Sequence, residues 1–172
     1  EYKTRTQLPD RPSMLADLGS RINLIGRSTL EKFIEHARQH GHKVEMKARE
    51  RPIKVHGVGQ GAAVCTKQAT IPVAVKYKDR PSQVQPFIAN VADGHGSDLP
   101  AILGKDSMEA RDAVIILRDG NKCMAFPGLG GYRTEWSAGT KIIPMESSPS
   151  GHLVIPCDTF DKAEVVNDTN AF

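Results

Sequence analysis

Asp17 offers the most chemistry of any side chain in this sequence. It ends the short apolar run Met14-Leu15-Ala16 and begins the turn Leu18-Gly19-Ser20, so a carboxyl is expected where a strand hands over to a tight bend. A carboxylate there can take a proton from water as a general base, or hold one and donate it to a carbonyl. One carboxyl alone performs both acts poorly, whereas two sharing a single proton divide the work between them. Gly19 keeps the tight turn available, and Ser20 follows with a small hydroxyl. Asp93-Gly94 and Asp119-Gly120 also join an aspartate to a glycine, but neither follows an apolar strand.

Other groupings read more simply. His36, His40 and His42 crowd one helix end, and although an i, i+4 pair can ligate a metal, no third ligand stands at a suitable spacing; a solvated face is expected. The stretch Asp93-Gly94-His95-Gly96-Ser97-Asp98 lacks the regular ligand alternation of a calcium loop and reads as a surface loop. Gly128-Leu129-Gly130-Gly131 is not followed by Lys-Ser/Thr, so it is not a phosphate loop. Cys65, Cys123 and Cys157 are odd in number and far apart, which fits free thiols rather than a disulfide framework or zinc site. No metal and no cofactor is expected.

The elements that would position Asp17 follow from the hydrophobic pattern. Residues 1–13 are polar, contain Pro9 and Pro12, and read as an N-terminal arm. Met14–Ala16 is a strand, and Ile22, Leu24 and Ile25 resume a β pattern beyond the turn. A helix is predicted next: Ser28 and Glu31 form a capping box, Leu30, Phe33, Ile34 and Ala37 share a face, and Gly41 stops it. The charged stretch Lys43–Arg51 reads as a surface connection. Ile53 and Val55, then Gly57-Val58-Gly59-Gln60-Gly61, then Ala63 and Val64 read as two strands around a glycine-rich hairpin. Further strands are expected over 71–77 and 86–91. The run Leu99–Gly104 leads to a short helix over 105–111, then to a buried strand over 113–117 and a returning strand over 123–126. Residues 128–172 read as an extended tail rich in Gly, Pro and Ser, with strand candidates at 141–145 and 152–156.

Three of these parts stand in a fixed order: Asp17-Leu18-Gly19-Ser20 with Ile22-Asn23-Leu24-Ile25, the glycine hairpin Gly57–Gly61, and Ala101-Ile102-Leu103-Gly104 before a helix. This order resembles the retropepsin-like aspartic proteases of retroviruses and retrotransposons, over about two thirds of the chain, Met14 to Pro127. The resemblance implies a mainly β, closed-barrel acid-protease domain over 14–127 with one or two helices, flanked by the arm 1–13 and the extended C-terminal tail 128–172. It implies Asp17 as the catalytic residue, Gly19 and Ser20 as shapers of its loop, and Gly57, Val58, Gly59, Gln60 and Gly61 as a flap over a peptide or polyprotein substrate. Because the sequence supplies one such aspartate, the pair would form between identical chains across a two-fold axis, making an active protease a homodimer. The family carries Thr or Ser after the aspartate, with a hydroxyl that bonds across that axis; this sequence has Leu18, which can do neither half of that bond. A second reading follows from Leu18 and the long tail: a non-catalytic domain kept for its fold, a structural or interaction subunit whose arm and tail bind a larger protein complex.

The bulk numbers agree with either reading. Hydrophobic residues make up 39% and charged residues 25% of 172, ordinary for a soluble globular chain. The net charge of +3 is mild, with Lys and Arg scattered among Asp and Glu, so no nucleic-acid partner is expected. No apolar run reaches the length of a membrane-spanning helix. The sequence starts at Glu1 rather than Met, as a processed piece of a longer product would, and any targeting segment would precede it.

Overall fold

The computed structural model describes residues 6–8, 11–56 and 61–158. By internal contacts the chain divides into two units, Glu1–Tyr132 and Arg133–Phe172. The first is mainly β with two α-helices. Its strands are β1 (Met14–Asp17), β2 (Leu24–Gly26), β3 (Glu45–Val55), β4 (Ala63–Val75), β5 (Gln83–Ala92), β6 (Ala101–Gly104), β7 (Val114–Ile116) and β8 (Cys123–Ala125). The helices are α1 (Arg27–Gln39) and α2 (Lys105–Glu109), and a 3-10 turn covers Gly94–Gly96. In the second unit the short strands β9 (Glu146–Ser147) and β10 (Leu153–Val154) form a two-stranded hairpin.

Six strands make one sheet in the order β1-β6-β2-β5-β4-β3. β6 lies between β1 and β2, parallel to the first and antiparallel to the second, although β1 and β2 are neighbours in sequence. The long strands β3, β4 and β5 form an antiparallel meander. Among the described residues the sheet is open, with β1 and β3 as its edges, so the closed barrel expected from the sequence is not found.

Two apolar clusters hold this sheet together. α1 lays Leu30 and Phe33 against Ile25, Ala69, Ile71, Phe87, Ala89, Val91 and Ala101. Of the face expected from the spacing, Leu30, Phe33 and Ala37 are buried, while Ile34 is exposed and Thr29 is buried in its stead. The second cluster joins Ala63 and Cys65 to Leu24, Ala92 and Ile102, with Ile53 and Val55 packed against it. In a strictly alternating β4, Ala63 and Cys65 would share a face with Ala69 and Ile71. They lie in a different cluster, further along the ladder than the point where the β3–β4 register shifts between Ala48 and Ile53, a bulge carried by β3.

Several expectations are corrected at this level. Lys43–Arg51 is not a connection: from Glu45 onward it is β3, an edge strand so exposed that it carries no apolar alternation. β4 is a single strand through both of its predicted pieces. The capping box is not formed; α1 begins at Arg27 with Gly26 as N-cap and no side-chain cap. The Ser28 N–H instead donates to the Ser97 carbonyl at 2.9 Å, so the loop before β6 supplies the acceptor that a side chain would otherwise offer. At the other end Gly41 (φ 74°) stops the helix as expected, with Gly41 N–H on Arg38 O and His42 N–H on Ala37 O, a Schellman motif. The strand expected to be buried over 113–117 is β7, half-buried at Val114 and Ile115 and exposed at Ile116, paired only with β8. Residues 141–145 form no strand.

Candidate active site around Asp17

Asp17 stands at the last position of β1, opposite Gly104 of β6. Its Oδ1 accepts the Gly19 N–H at 2.8 Å, and its main-chain carbonyl accepts the Ser20 N–H at 3.2 Å. This side-chain mimicry of a turn fixes the carboxyl against its own loop. Among the described residues no other hydrogen bond reaches the carboxyl, and no second carboxyl pairs with it. Leu18, next to it, is 45% exposed, and Gly19 is exposed as well.

The rest of the loop is clamped to the start of α2. Ser20 O accepts the Lys105 N–H at 2.7 Å and Arg21 O accepts the Asp106 N–H at 3.0 Å, while Ser20 Oγ donates to Ile22 O at 2.9 Å. Gly104 makes this approach possible. A Cβ on it would lie 2.5 Å from the Ile22 carbonyl carbon and oxygen, a distance no side chain tolerates, so only glycine passes beneath the loop. Asn23 then ties three elements together: its Oδ1 accepts the Gly104 N–H and its Nδ2 donates to Ile88 O, both at 2.9 Å. Lys105 is nearly buried, and its Nζ meets Glu109 Oε2 at 2.7 Å one turn along α2.

The sequence-predicted site residues are brought together in part. Asp17, Gly19 and Ser20 share one loop, and the Ala101–Gly104 segment runs beside it. Of the predicted flap, Gly57, Val58, Gly59 and Gln60 lie outside the described residues. Gly61 is exposed, with φ 114°, and its Cβ position would be 3.8 Å from His95 Cδ2. Two residues of the Asp17 loop's support escaped the sequence reading. Asn23 stands out as the one polar residue in Ile22-Asn23-Leu24-Ile25, since a half-buried amide flanked by apolar residues needs hydrogen-bond partners. Lys105 gave no comparable signal.

The remaining groupings take structural places. His40 Nδ1 is 2.9 Å from its own helix's His36 carbonyl, and the two rings are 4.6 Å apart. Asp93 forms a half-buried ion pair with Arg27 at 2.9 Å, joining the surface loop to the start of α1. The three cysteines are free; burial pushes the Cys65 thiol up, Asp93 adds to the effect and Arg49 opposes it. Among the described residues, no group of three or more His, Cys, Asp or Glu side chains could hold a metal ion, and no helix is long and apolar enough to cross a membrane.

No protein-family model matches the chain, and no curated protein or solved structure matches it either.

Proposed function

We propose that this chain is a retropepsin-like aspartic endopeptidase domain that works as a homodimer, with one Asp17 from each copy in the catalytic pair. One observation carries the reading: β6 is inserted between β1 and β2, so that Gly104 passes directly beneath the loop bearing Asp17. That threading holds the loop by main-chain bonds from α2 and by the side chains of Ser20 and Asn23, with the Asp17 carboxyl at the start of the loop, where β1 ends. In the pair, the ionised carboxyl takes a proton from water as the oxygen attacks the peptide carbonyl. The protonated carboxyl donates its hydrogen to the carbonyl oxygen, and a proton then passes to the leaving amine. Pairing across a two-fold axis brings like groups together, which favours one shared proton over two charges.

Leu18 favours a second reading, a retropepsin-like domain without activity that serves as an interaction subunit. Without a hydroxyl beside Asp17, a symmetric contact loses a hydrogen bond on each side, about 0.5–1.5 kcal/mol apiece. The two readings part in one experiment. Cleavage of an unstructured peptide mixture is measured from acidic to neutral pH, with Asp17→Asn as control and with solution mass determined on the same sample. The protease reading expects a dimer whose cleavage disappears in Asp17→Asn. A strict monomer, or cleavage that persists in Asp17→Asn, contradicts it. A dimer that is inert as it stands but cleaves as Leu18→Thr would assign the loss to the missing hydroxyl.

A further inference from the structure

The edge of the sheet formed by β3 has chemistry unconnected with Asp17. Ala48 pairs with Lys67 and Ile53 with Cys65, so Arg49, Glu50, Arg51 and Pro52 stand against the single residue Thr66. This large bulge borders an open cavity of about 430 Å³ lined by Lys47, Ala48, Arg49, Glu50, Arg51 and Gln68. Three cations and one carboxylate give the lining a formal charge of +2. None of the three cations is ion-paired with a carboxylate among the described residues. Glu50 is the one carboxylate in the lining.

Arg49 is oriented rather than loose. Its Nη1 donates to Asn90 Oδ1 at 2.6 Å, and its Nε to the Arg51 carbonyl at 3.3 Å. Asn90 is itself buried and anchored, its Nδ2 donating to Asn23 O at 3.0 Å. A guanidinium carries five N–H donors, so those not bonded to Asn90 and Arg51 remain to grip a ligand. Pre-orientation by a buried amide lowers the entropy lost when one is bound.

We propose that the β3 bulge is a binding site for a phosphate monoester, with Arg49, Arg51 and Lys47 as its cationic ligands. A monoester dianion matches the +2 lining, where a single carboxylate or a phosphodiester supplies only one negative charge. Guanidinium groups suit it because their forked donors match phosphate oxygens, and such charge-assisted bonds are the strong ones. Gln68 adds a neutral amide at the cavity wall. The site does not depend on the protease reading.

The test titrates the intact chain with inorganic phosphate, O-phosphoserine and adenosine monophosphate, following amide shifts by NMR and heats by calorimetry. A dinucleotide phosphodiester and acetate serve as comparisons. Saturable one-to-one binding is expected, with shifts centred on 47–51 and Gln68, and with weakening as pH falls below the second phosphate pKa of about 6. Whichever monoester binds more tightly, phosphoserine or nucleotide, identifies the source of the phosphate. Arg49→Gln and Arg51→Gln should each weaken binding about tenfold or more. Lys32→Gln, which removes the same charge from the exposed face of α1, should leave it unchanged. Absence of saturable binding, equal weakening in Lys32→Gln, or tighter binding of the diester than of the monoesters overturns the proposal. Should Arg49→Gln fail to fold, Arg51→Gln and Lys47→Gln decide the question.

Discussion

At one edge of the six-stranded sheet the chain leaves β1 through a loop in which backbone meets backbone. At the other edge β3 bows outward over four residues, three of them charged. The Asp17 loop is specified by close approach: Gly104 fits beneath Ile22, and two main-chain N–H groups of α2 hold the Ser20 and Arg21 carbonyls. The bulge is specified by what it leaves unpaired, both ladder positions and cations. A short relay joins the two. Asn23 accepts from Gly104 with its side chain and from Asn90 with its carbonyl, and Asn90 in turn holds Arg49. One edge tolerates almost no change in volume, while at the other a change of charge alters ligand binding with little effect on stability.

Breaking the first edge should have the largest effect. Gly104→Ala forces a Cβ into the Ile22 backbone and is expected to remove about 3 kcal/mol or more of stability, read by urea denaturation. If Gly104→Ala proved neutral, the loop would not be threaded as described. Asn23→Ala comes next. It strands the Gly104 N–H and the Ile88 carbonyl, and a loss of about 1–3 kcal/mol should appear in the same titration.

A smaller effect is expected at Cys65, whose buried thiol has a raised pKa. The unfolded thiol ionises first, so its contribution to stability is full below the ordinary value of 9.0 and is lost as pH rises from there toward the folded value. Thermal unfolding should therefore shift downward above that pH, and iodoacetamide should label exposed Cys157 well before Cys65. The smallest effect belongs to the second edge. Arg51→Gln should change stability by no more than about 0.5 kcal/mol, because it alters only an exposed side chain.

Much of the first edge was legible in the sequence, and little of the second. Asp17-Leu18-Gly19-Ser20 announces a turn after an apolar run, and Ile102-Leu103-Gly104 announces a strand that ends in a glycine. Apolar spacing at Leu30, Phe33 and Ala37 gave the helix, because that face is buried against the sheet. Burial is also why β3 was missed. A strand with most side chains in water has no reason to alternate, so Lys47 to Arg51 looks like a loop. The capping signal at Ser28 misled because a distant carbonyl, that of Ser97, took the role locally assigned to a side chain. The apolar run 113–117 misled in the opposite way, since composition does not state how much of a strand its neighbours cover.

The central claim is that two copies of Asp17 act as one catalytic pair, and mixing tests it directly. Wild-type chain at fixed concentration is mixed with rising amounts of Asp17→Asn, allowed to exchange, and assayed for peptide cleavage. Heterodimers would carry one carboxyl, so cleavage should fall progressively toward zero as the variant comes into excess. Cleavage that stays constant under that excess would contradict a pair shared between chains.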